Sequence, residues 1–268
     1  MKTKTQLITW IVLAVLSLIF VCVLAADIII AKTAEVKNPI ATLEFENYGT
    51  VKIELYPEYA PNTVANFINL INKGFYTGKV VYGKDINAIY AVKNTDGEIA
   101  EPTMNLVDSS IEAGSANDFA YQINGEFIAN DFSGNTLKHE KGVISMLRDN
   151  YSSYFGLQEQ GFNSASCHFQ IMLDDNRNLN GMYAAFGKVV EGLDVVQKVF
   201  DSATVEKSEE TETEETAENT IVDFATPVVI KSASVETYCV DYGVPAVHQA
   251  FDYNAFLQAY FNQYYTNE

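Results

Sequence analysis

The stretch GTVKIELYPEYAPNTVANFINLINKGFY, residues 49–76, decides the fold of this chain. Together with the residues from 41 onward it places apolar side chains at every second position on both sides of a short connection that contains Asn and Gly. That alternation predicts a β-hairpin over residues 41–56. The apolar spacing then becomes helical over residues 61–73, with Pro61 at the first position and Gly74 just beyond the last. We therefore expect an amphipathic helix directly after the hairpin.

The chain between this helix and about residue 242 is predicted to consist mainly of short strands. Residues 80–132 show no long periodicity and are expected to form strands joined by loops. The polar and aromatic residues 148–161 interrupt two apolar runs, so we expect an exposed loop there. The other predicted elements are strands at 142–147 and 168–173, a helix at 189–200 and a final strand at about 227–234.

An uncharged run near the N-terminus predicts a membrane anchor. Residues 7–26, LITWIVLAVLSLIFVCVLAA, form a helix of about 30 Å at 1.5 Å per residue, which matches the hydrocarbon core of a bilayer. Lys2 and Lys4 precede this run, and positive charge favours the cytoplasmic side. The expected arrangement is a cytoplasmic N-terminus at 1–6, a single span at 7–26, a linker at 27–39 and an extracytoplasmic remainder at the cell membrane.

Two alternatives to an uncleaved anchor are open at this point. Val23 and Ala25 fit the small-residue rule for signal peptidase, and cleavage would give a secreted protein; signal h-regions, however, usually run about 7–15 residues. Cys22 invites a lipid attachment site, but the three residues before it are too bulky for one. The anchor is the interpretation favoured by the length of the run.

Charge and cysteine usage exclude several classes of function. The formal net charge of −18 and the lack of clustered Lys and Arg exclude nucleic acid as a partner. Part of that charge lies in residues 205–220, an acidic segment predicted to be a solvated loop. Cys22, Cys167 and Cys239 show no metal-site or disulfide-framework spacing. Two buried or half-buried thiols are favoured at positions 167 and 239, and a single bridge between them stays open.

The C-terminal residues 243–268 are predicted to form a helical tail. Over residues 246–265 aromatic side chains recur at helix-like intervals, at Phe251, Phe256, Tyr260 and Tyr264. Such a stripe packs either on the domain itself or on a partner protein, and packing on the domain is favoured.

Several ordered motifs resemble the cyclophilin-type peptidyl-prolyl isomerases. The first is residues 49–76, a hairpin followed by a helix that ends in Gly-Phe-Tyr. The next are YQINGEF, LKHEKGVISM, NSAS, YAAFGKVVEGLDVVQKV and FATPVVIKSASVETY, the last ending at Tyr238. The resemblance covers about 40–242. It implies a mostly β fold, a closed eight-stranded antiparallel barrel capped by two α-helices, with a substrate groove on its outer face.

The resemblance also implies a chemistry, from which this sequence departs. Rotation about an X-Pro bond faces a barrier of about 18–20 kcal/mol, and the family lowers it with an Arg that donates to the prolyl nitrogen. That Arg stands in a Phe-His-Arg triplet, whereas this chain has Val81, Tyr82 and Gly83. Gln170 replaces an aromatic ring at the base of the proline pocket. We therefore expect no guanidinium in the groove, and Arg148 or Arg177 reaching it would contradict that expectation.

The groove is assigned to seven side chains, none of them catalytic. Neither a metal nor another cofactor is implied, since proline isomerisation needs no base and no Cys/His spacing suggests a metal site. His168 is accordingly interpreted as a groove-lining or hydrogen-bonding residue. The seven are Tyr82, Leu147, His168, Phe169, Gln170, Leu179 and Tyr183.

Three functions follow from this reading. The first is a peptidyl-prolyl isomerase or foldase for exported proteins, with weak or lost activity, that binds proline-containing segments. The second is a non-catalytic module that binds peptides or a protein of an envelope complex through the same groove. The third is a structural subunit of such a complex, with residues 148–161 and the C-terminal tail as the contact surface.

Overall fold

The computed structural model describes residues 37–151, 155–205 and 220–265, together with 3, 8–10, 12–13 and 15–21 near the N-terminus. Two compact units are present, Met1–Lys37 and Asn38–Glu268. In the first unit the described residues 8–10, 12–13 and 15–21 are helical with exposed side chains. None of the helices formed by described residues combines the length and the hydrophobicity that a bilayer-spanning helix needs. The rest of the predicted span, residues 27–36 of the linker and 206–219 of the acidic segment lie outside the described residues.

The second unit contains a closed eight-stranded barrel in which every neighbouring pair of strands is antiparallel. This confirms the barrel that the family resemblance implied. A separate two-stranded sheet joins β5 (Tyr121–Gln122) to β10 (His248–Gln249). The barrel strands are β1 (Ile40–Phe45), β2 (Gly49–Leu55), β3 (Val80–Lys84), β4 (Ala88–Lys93), β6 (Val143–Met146), β7 (Phe169–Met172), β8 (Ala185–Glu191) and β9 (Val222–Glu236), and they close in the order β1-β2-β8-β6-β7-β4-β3-β9.

The described residues of the second unit form four α-helices besides the sheets: α1 (Pro61–Asn72), α2 (Gln158–Phe162), α3 (Leu193–Phe200) and α4 (Tyr253–Tyr265). Helix α1 buries the apolar face predicted from its sequence. The ring of Phe67 inserts into the core, with its centroid 5.0 Å from that of Tyr76 and 5.1 Å from that of Phe186. No side chain at its own N-cap satisfies the first N–H groups. The carboxylate of Glu126 does so instead, accepting from the backbone N–H of Asn62 and Thr63 at 2.9 and 2.7 Å.

The predicted hairpin is confirmed as β1 and β2, whose inward side chains are almost completely buried. Burying each of these side chains stabilises the folded state by roughly 1.5–3 kcal/mol, so the alternation in the sequence predicted this hairpin correctly.

Two predicted elements differ from the observed ones. The helix expected from residue 189 begins at Leu193, because Gly192 adopts a left-handed φ of 85° that ends β8 and turns the chain into α3. The final strand is longer than predicted because β9 pairs with both β1 and β3.

Residues 148–161 are not the wholly exposed loop that was expected. Arg148 is half-buried and Leu157 is only 5% exposed. Residues 152–154 lie outside the described residues. The reason is that this segment packs against the C-terminal tail: Tyr151 stacks on Tyr253 at 4.9 Å, and Phe155 meets Tyr260 at 5.1 Å. The tail thus packs on its own domain.

The tail helix begins later than predicted because part of the tail is extended. Strand β10 pairs with β5, and Ala250 donates its N–H to the carbonyl of Ala120 at 2.8 Å. Asn62 and Ala246 exchange two further hydrogen bonds of 2.9 and 2.7 Å.

Cys167 and Cys239 are both free thiols, so they do not form the bridge that the sequence left open. Cys167 is completely buried, and its thiol donates to the carbonyl of Ala100 at 3.1 Å. Burial raises the pKa of Cys167 to about 12, which keeps the thiol protonated and unreactive. Cys239 is exposed, so the expectation that it is at least half-buried is wrong.

Candidate substrate cleft

A cleft of about 710 Å³ lies on the outer face of the barrel, over β3, β4, β7 and the residues that follow β6. The opposite faces of these strands point into the core around Phe67, so the cleft side chains stand on a rigid wall. Six of the seven side chains predicted to line a groove are brought together here: Tyr82, Leu147, His168, Gln170, Leu179 and Tyr183.

Phe169 is the exception, and its assignment to the groove is wrong. Successive side chains of a strand point to opposite faces, so His168 and Gln170 face the cleft while Phe169 faces the core. Phe169 is 1% exposed, and its ring lies 5.7 Å from Phe67 and 5.8 Å from Tyr76.

The family resemblance implied that Gly83 stands in the groove in place of the arginine. In the structure, Gly83 does not line the cleft. It is buried against β9, where a Cβ would lie 2.7 Å from the carbonyl oxygen of Val222. The β3 side chain that lines the cleft is Tyr82, whose ring has the ammonium of Lys93 4.1 Å from its centroid. Burial, followed by the charge of Asp223, raises the pKa of Tyr82 to about 12, so the phenol is neutral.

A guanidinium is nevertheless present in the cleft, contrary to expectation, and it belongs to Arg148. The group lies 4.5 Å from the ring centroid of Tyr183 and 4.8 Å from that of Phe162. Its Nε donates to the carbonyl of Met182 and one Nη to that of Asp149, both at 3.1 Å. Arginine has five N–H groups, so three are left without a partner among the described residues.

The position of Arg148 follows from its place just after β6. Sequence reasoning assigned it to an exposed insertion, although the residue before it, Leu147, was already assigned to the groove. Burial lowers the pKa of Arg148, but a guanidinium stays charged in proteins. The guanidinium lies close to these aromatic rings and donates to two backbone carbonyls, a combination of contacts that a lysine would not reproduce. Arg177, the other candidate, is exposed and is not among the cleft-lining residues.

Gln170 is the most deeply buried polar side chain at the base of the cleft, at 2% exposed. Its Nε2 has no hydrogen-bond partner among the described residues. A buried polar group without a partner is uncommon in folded proteins, and this one belongs to a side chain that lines the cleft, where a ligand could accept from it.

His168 is neutral near pH 7, because burial lowers its pKa. It lines the cleft next to this glutamine, and no group of three metal-ligating side chains occurs within the part of the chain that is described. The other charged groups lining the cleft are Lys93, Asp85, Glu101 and Asp149. Asp85 and Lys93 belong to residues 80–132, which were expected to form strands and loops without any residue beyond Tyr82 being assigned to the groove; the run AIYAVK has the β-branched and aromatic character of a strand.

The model of the family described as "Cyclophilin type peptidyl-prolyl cis-trans isomerase/CLD" matches residues 40–224. A probable peptidyl-prolyl cis-trans isomerase of Brucella suis is 29% identical over 176 residues, which cover 65% of this chain and 79% of that protein. Peptidyl-prolyl cis-trans isomerase B of Bacillus subtilis is 27% identical over 154 residues, covering 58% and 85%. A crystal structure of a Cryptosporidium parvum cyclophilin type isomerase gives a TM-score of 0.49 at 18% identity, covering 74% of this chain and 98% of that one. On the family model, which spans the barrel from β1 into β9, this chain belongs to the cyclophilin type peptidyl-prolyl cis-trans isomerase family.

Proposed function

We propose that the cleft binds proline-containing segments of polypeptides and that Arg148 stabilises the twisted X-Pro amide during isomerisation. The observation that carries this proposal is the guanidinium on the cleft wall with three N–H groups left over. As conjugation is lost, the prolyl nitrogen gains a lone pair, and a charged donor held in place lowers the free energy of that state.

We expect the isomerase activity to be weak. Two N–H groups of Arg148 are already engaged with backbone carbonyls, and these hydrogen bonds and the contact with the ring of Tyr183 restrict how the guanidinium can turn toward a ligand. The base of the pocket offers the amide of Gln170 where an apolar surface would favour a prolyl ring.

The test measures isomerisation of an X-Pro peptide by protease-coupled assay with the full chain and two variants, Arg148→Ala and Arg148→Lys. Loss of one transition-state donor costs about 100- to 1000-fold in rate, so Arg148→Ala should fall to the uncatalysed rate. Arg148→Lys should recover little, because an ammonium lacks the planar fork. Arg177→Ala removes an arginine of the same charge outside the cleft and should change nothing. Equal rates for the wild type and Arg148→Ala would refute the role of Arg148.

A non-catalytic binding module is the second candidate, and the polar base formed by Gln170 favours it. In that case an X-Pro peptide binds to the wild type in a direct titration, while the isomerisation rate equals that of the uncatalysed reaction.

We further propose that residues 7–26 anchor the chain in the cell membrane and that its clients are exported proteins. The support is the uncharged run itself and the placement of Lys2 and Lys4 before it. Alkaline extraction of membranes separates an anchored chain from a peripheral one, and the mass of the mature chain distinguishes an anchor from a cleaved signal. Recovery of the chain in the soluble fraction, without the first 26 residues, would contradict the anchor.

Residues 148–161 and the C-terminal tail are a further candidate surface for a protein partner. Because their aromatic side chains pack on each other in this structure, a partner would have to use the remaining faces of the tail helix. Cross-linking from the exposed ring of Phe261 would test that proposal.

A further inference from the structure

Gln170 lies at the centre of a row of three side chains on the outer face of the barrel. In β7 it pairs with Tyr90 of β4 on one side and with Ser145 of β6 on the other. These are the neighbours that an amide at this position would normally use for hydrogen bonding. Neither of them forms a hydrogen bond with Gln170 in this structure.

Both neighbours are engaged elsewhere. The hydroxyl of Tyr90 donates to the carboxylate of Asp85 at 2.8 Å. Ser145 is fully buried, and its Oγ lies 2.9 Å from Nε2 of His139. These contacts turn both hydroxyl groups away from Gln170.

The tautomer of His139 fixes the direction of the second contact. Asn180 Oδ1 accepts the backbone N–H of His139 at 2.7 Å and lies 3.3 Å from its Nδ1. An oxygen there can only accept, so Nδ1 carries the ring proton and Nε2 accepts the hydroxyl proton of Ser145. The amide of Gln170 is thus left to face the cleft unpaired.

Nε2 of Gln170 has no hydrogen-bond partner among the described residues, and none of them donates to its Oε1, so the side chain can pair with another amide. The terminal torsion of a glutamine is broad and roughly two-fold, so rotation about it can present either the N–H or the oxygen to a ligand. A prolyl ring has neither a donor nor an acceptor to offer and would leave the buried amide unpaired. A primary amide offers both.

The charges around the cleft favour a neutral amide over a carboxylate. Two cations, Lys93 and Arg148, line the cleft together with three carboxylates, those of Asp85, Glu101 and Asp149. The chain as a whole carries a formal net charge of −18. An acidic ligand would therefore approach against the field of the protein.

We propose that the subsite over Gln170 selects an asparagine or glutamine side chain, so that this cleft recognises amide-bearing polypeptide segments that need no proline at that position. The inference goes beyond isomerisation and rests on the proposed function only in that the cleft binds extended polypeptide. A buried site built to hydrogen-bond a ligand discriminates strongly against an analogue that lacks the polar group.

The test uses four fluorescent pentapeptides, Ala-Ala-X-Ala-Ala, in which X is Asn, Leu, Asp or Pro. Asn and Leu have the same shape, so their ratio of dissociation constants isolates the hydrogen bonds. We expect the full-length wild type to bind the Asn peptide about tenfold more tightly than the Leu peptide, the factor that corresponds to about 1.4 kcal/mol. Gln170→Leu should bring that ratio to one. Gln197→Leu, the same substitution on α3 and outside the cleft, should leave the ratio unchanged.

A second measurement needs no variant. The side-chain N–H signals of Gln170 in a ¹⁵N-correlated NMR spectrum of the wild type should shift with the Asn peptide and not with the Leu peptide. This readout keeps the proposal testable if Gln170→Leu fails to fold.

The remaining outcomes separate this inference from the proposed function. Equal binding of the Asn and Leu peptides, or a ratio that survives Gln170→Leu, would overturn the inference. Tightest binding of the Pro peptide would overturn it and leave the proposed function standing. Tightest binding of the Asp peptide would overturn the choice of a neutral ligand. Binding of none of the four would overturn the inference and contradict the proposed function as well.

Discussion

Shortening the chain after Pro245 removes the tail that packs on the loop next to the cleft. Four ring contacts join the two segments: Tyr151 with Phe251 and Tyr253, at 5.4 and 4.9 Å, and Phe155 with Phe256 and Tyr260, at 5.9 and 5.1 Å. Aromatic pairs are worth about 0.5–1.5 kcal/mol each beyond burial, so the four together contribute about 2–6 kcal/mol. The loop carries Arg148 at its start, so we expect the loss to reach the cleft.

The free energy that the tail contributes to the loop is best measured at the backbone amide of Asp149. This N–H donates to the hydroxyl of Ser164 at 2.7 Å and exchanges with solvent only when the loop opens. A loss of about 2 kcal/mol, the lower end of the range, raises the open population by about 30-fold, since every 1.4 kcal/mol is a factor of ten. Hydrogen exchange followed by mass spectrometry or NMR on the truncated chain should therefore show that acceleration at Asp149, together with weaker peptide binding.

The control is a shorter truncation after Tyr265, which leaves all four ring contacts in place and should leave the exchange rate unchanged. The reasoning would be refuted if truncation after Pro245 changed the exchange of the Asp149 amide by less than about threefold. Such a result would mean that the loop is ordered by its own contacts to Ser164 and Met182 and that the tail adds nothing measurable.

Three further predictions concern stability. Burial lowers the pKa of His139 to about 4, whereas the same side chain in the unfolded chain has a pKa of about 6.5, so the unfolded chain binds more protons between these two values. The free energy of unfolding should therefore be fully present above pH 6.5 and fall by about 3 kcal/mol toward pH 4, as measured by urea titrations. His139→Gln should lose that part of the pH dependence, and an unchanged slope would contradict the assignment. Gly83→Ala should lower the free energy of unfolding by about 1–3 kcal/mol, because its Cβ would lie 2.7 Å from the Val222 carbonyl oxygen; a change within about 0.5 kcal/mol would show that β9 moves freely. Glu126→Ala should lower the free energy of unfolding by about 2–4 kcal/mol and Glu126→Gln by less, because the carboxylate caps the first turn of α1 and also accepts from the hydroxyl of Thr63. Equal losses of stability for both variants would show that the side chain acts through packing instead.

The family motif assigned three consecutive residues of one segment to the groove: His168, Phe169 and Gln170. Side chains alternate there, so His168 and Gln170 line the cleft while Phe169 faces the core, an alternation that the motif alone did not take into account. In β3 the register shifts between Val80 and Val81 and again between Val81 and Gly83. A register shift changes which side chain faces out, so Gly83 faces β9 and not the cleft; the family resemblance assigned Tyr82 to the groove correctly but could not show where residue 83 points.

The sequence by itself determined the hairpin, the first helix and the family, because alternation, helical spacing and ordered motifs are all local properties of the chain. Closure of the barrel depends on pairing β1 with β9, whose partners Ile40 and Glu236 lie far apart in the chain, and no local pattern encodes that contact. The position of the Arg148 guanidinium in the cleft is likewise decided only by tertiary structure. Its position depends on stacking against Phe162 and Tyr183 and on a loop held by an aromatic tail, and such contacts exist only once distant segments have packed together.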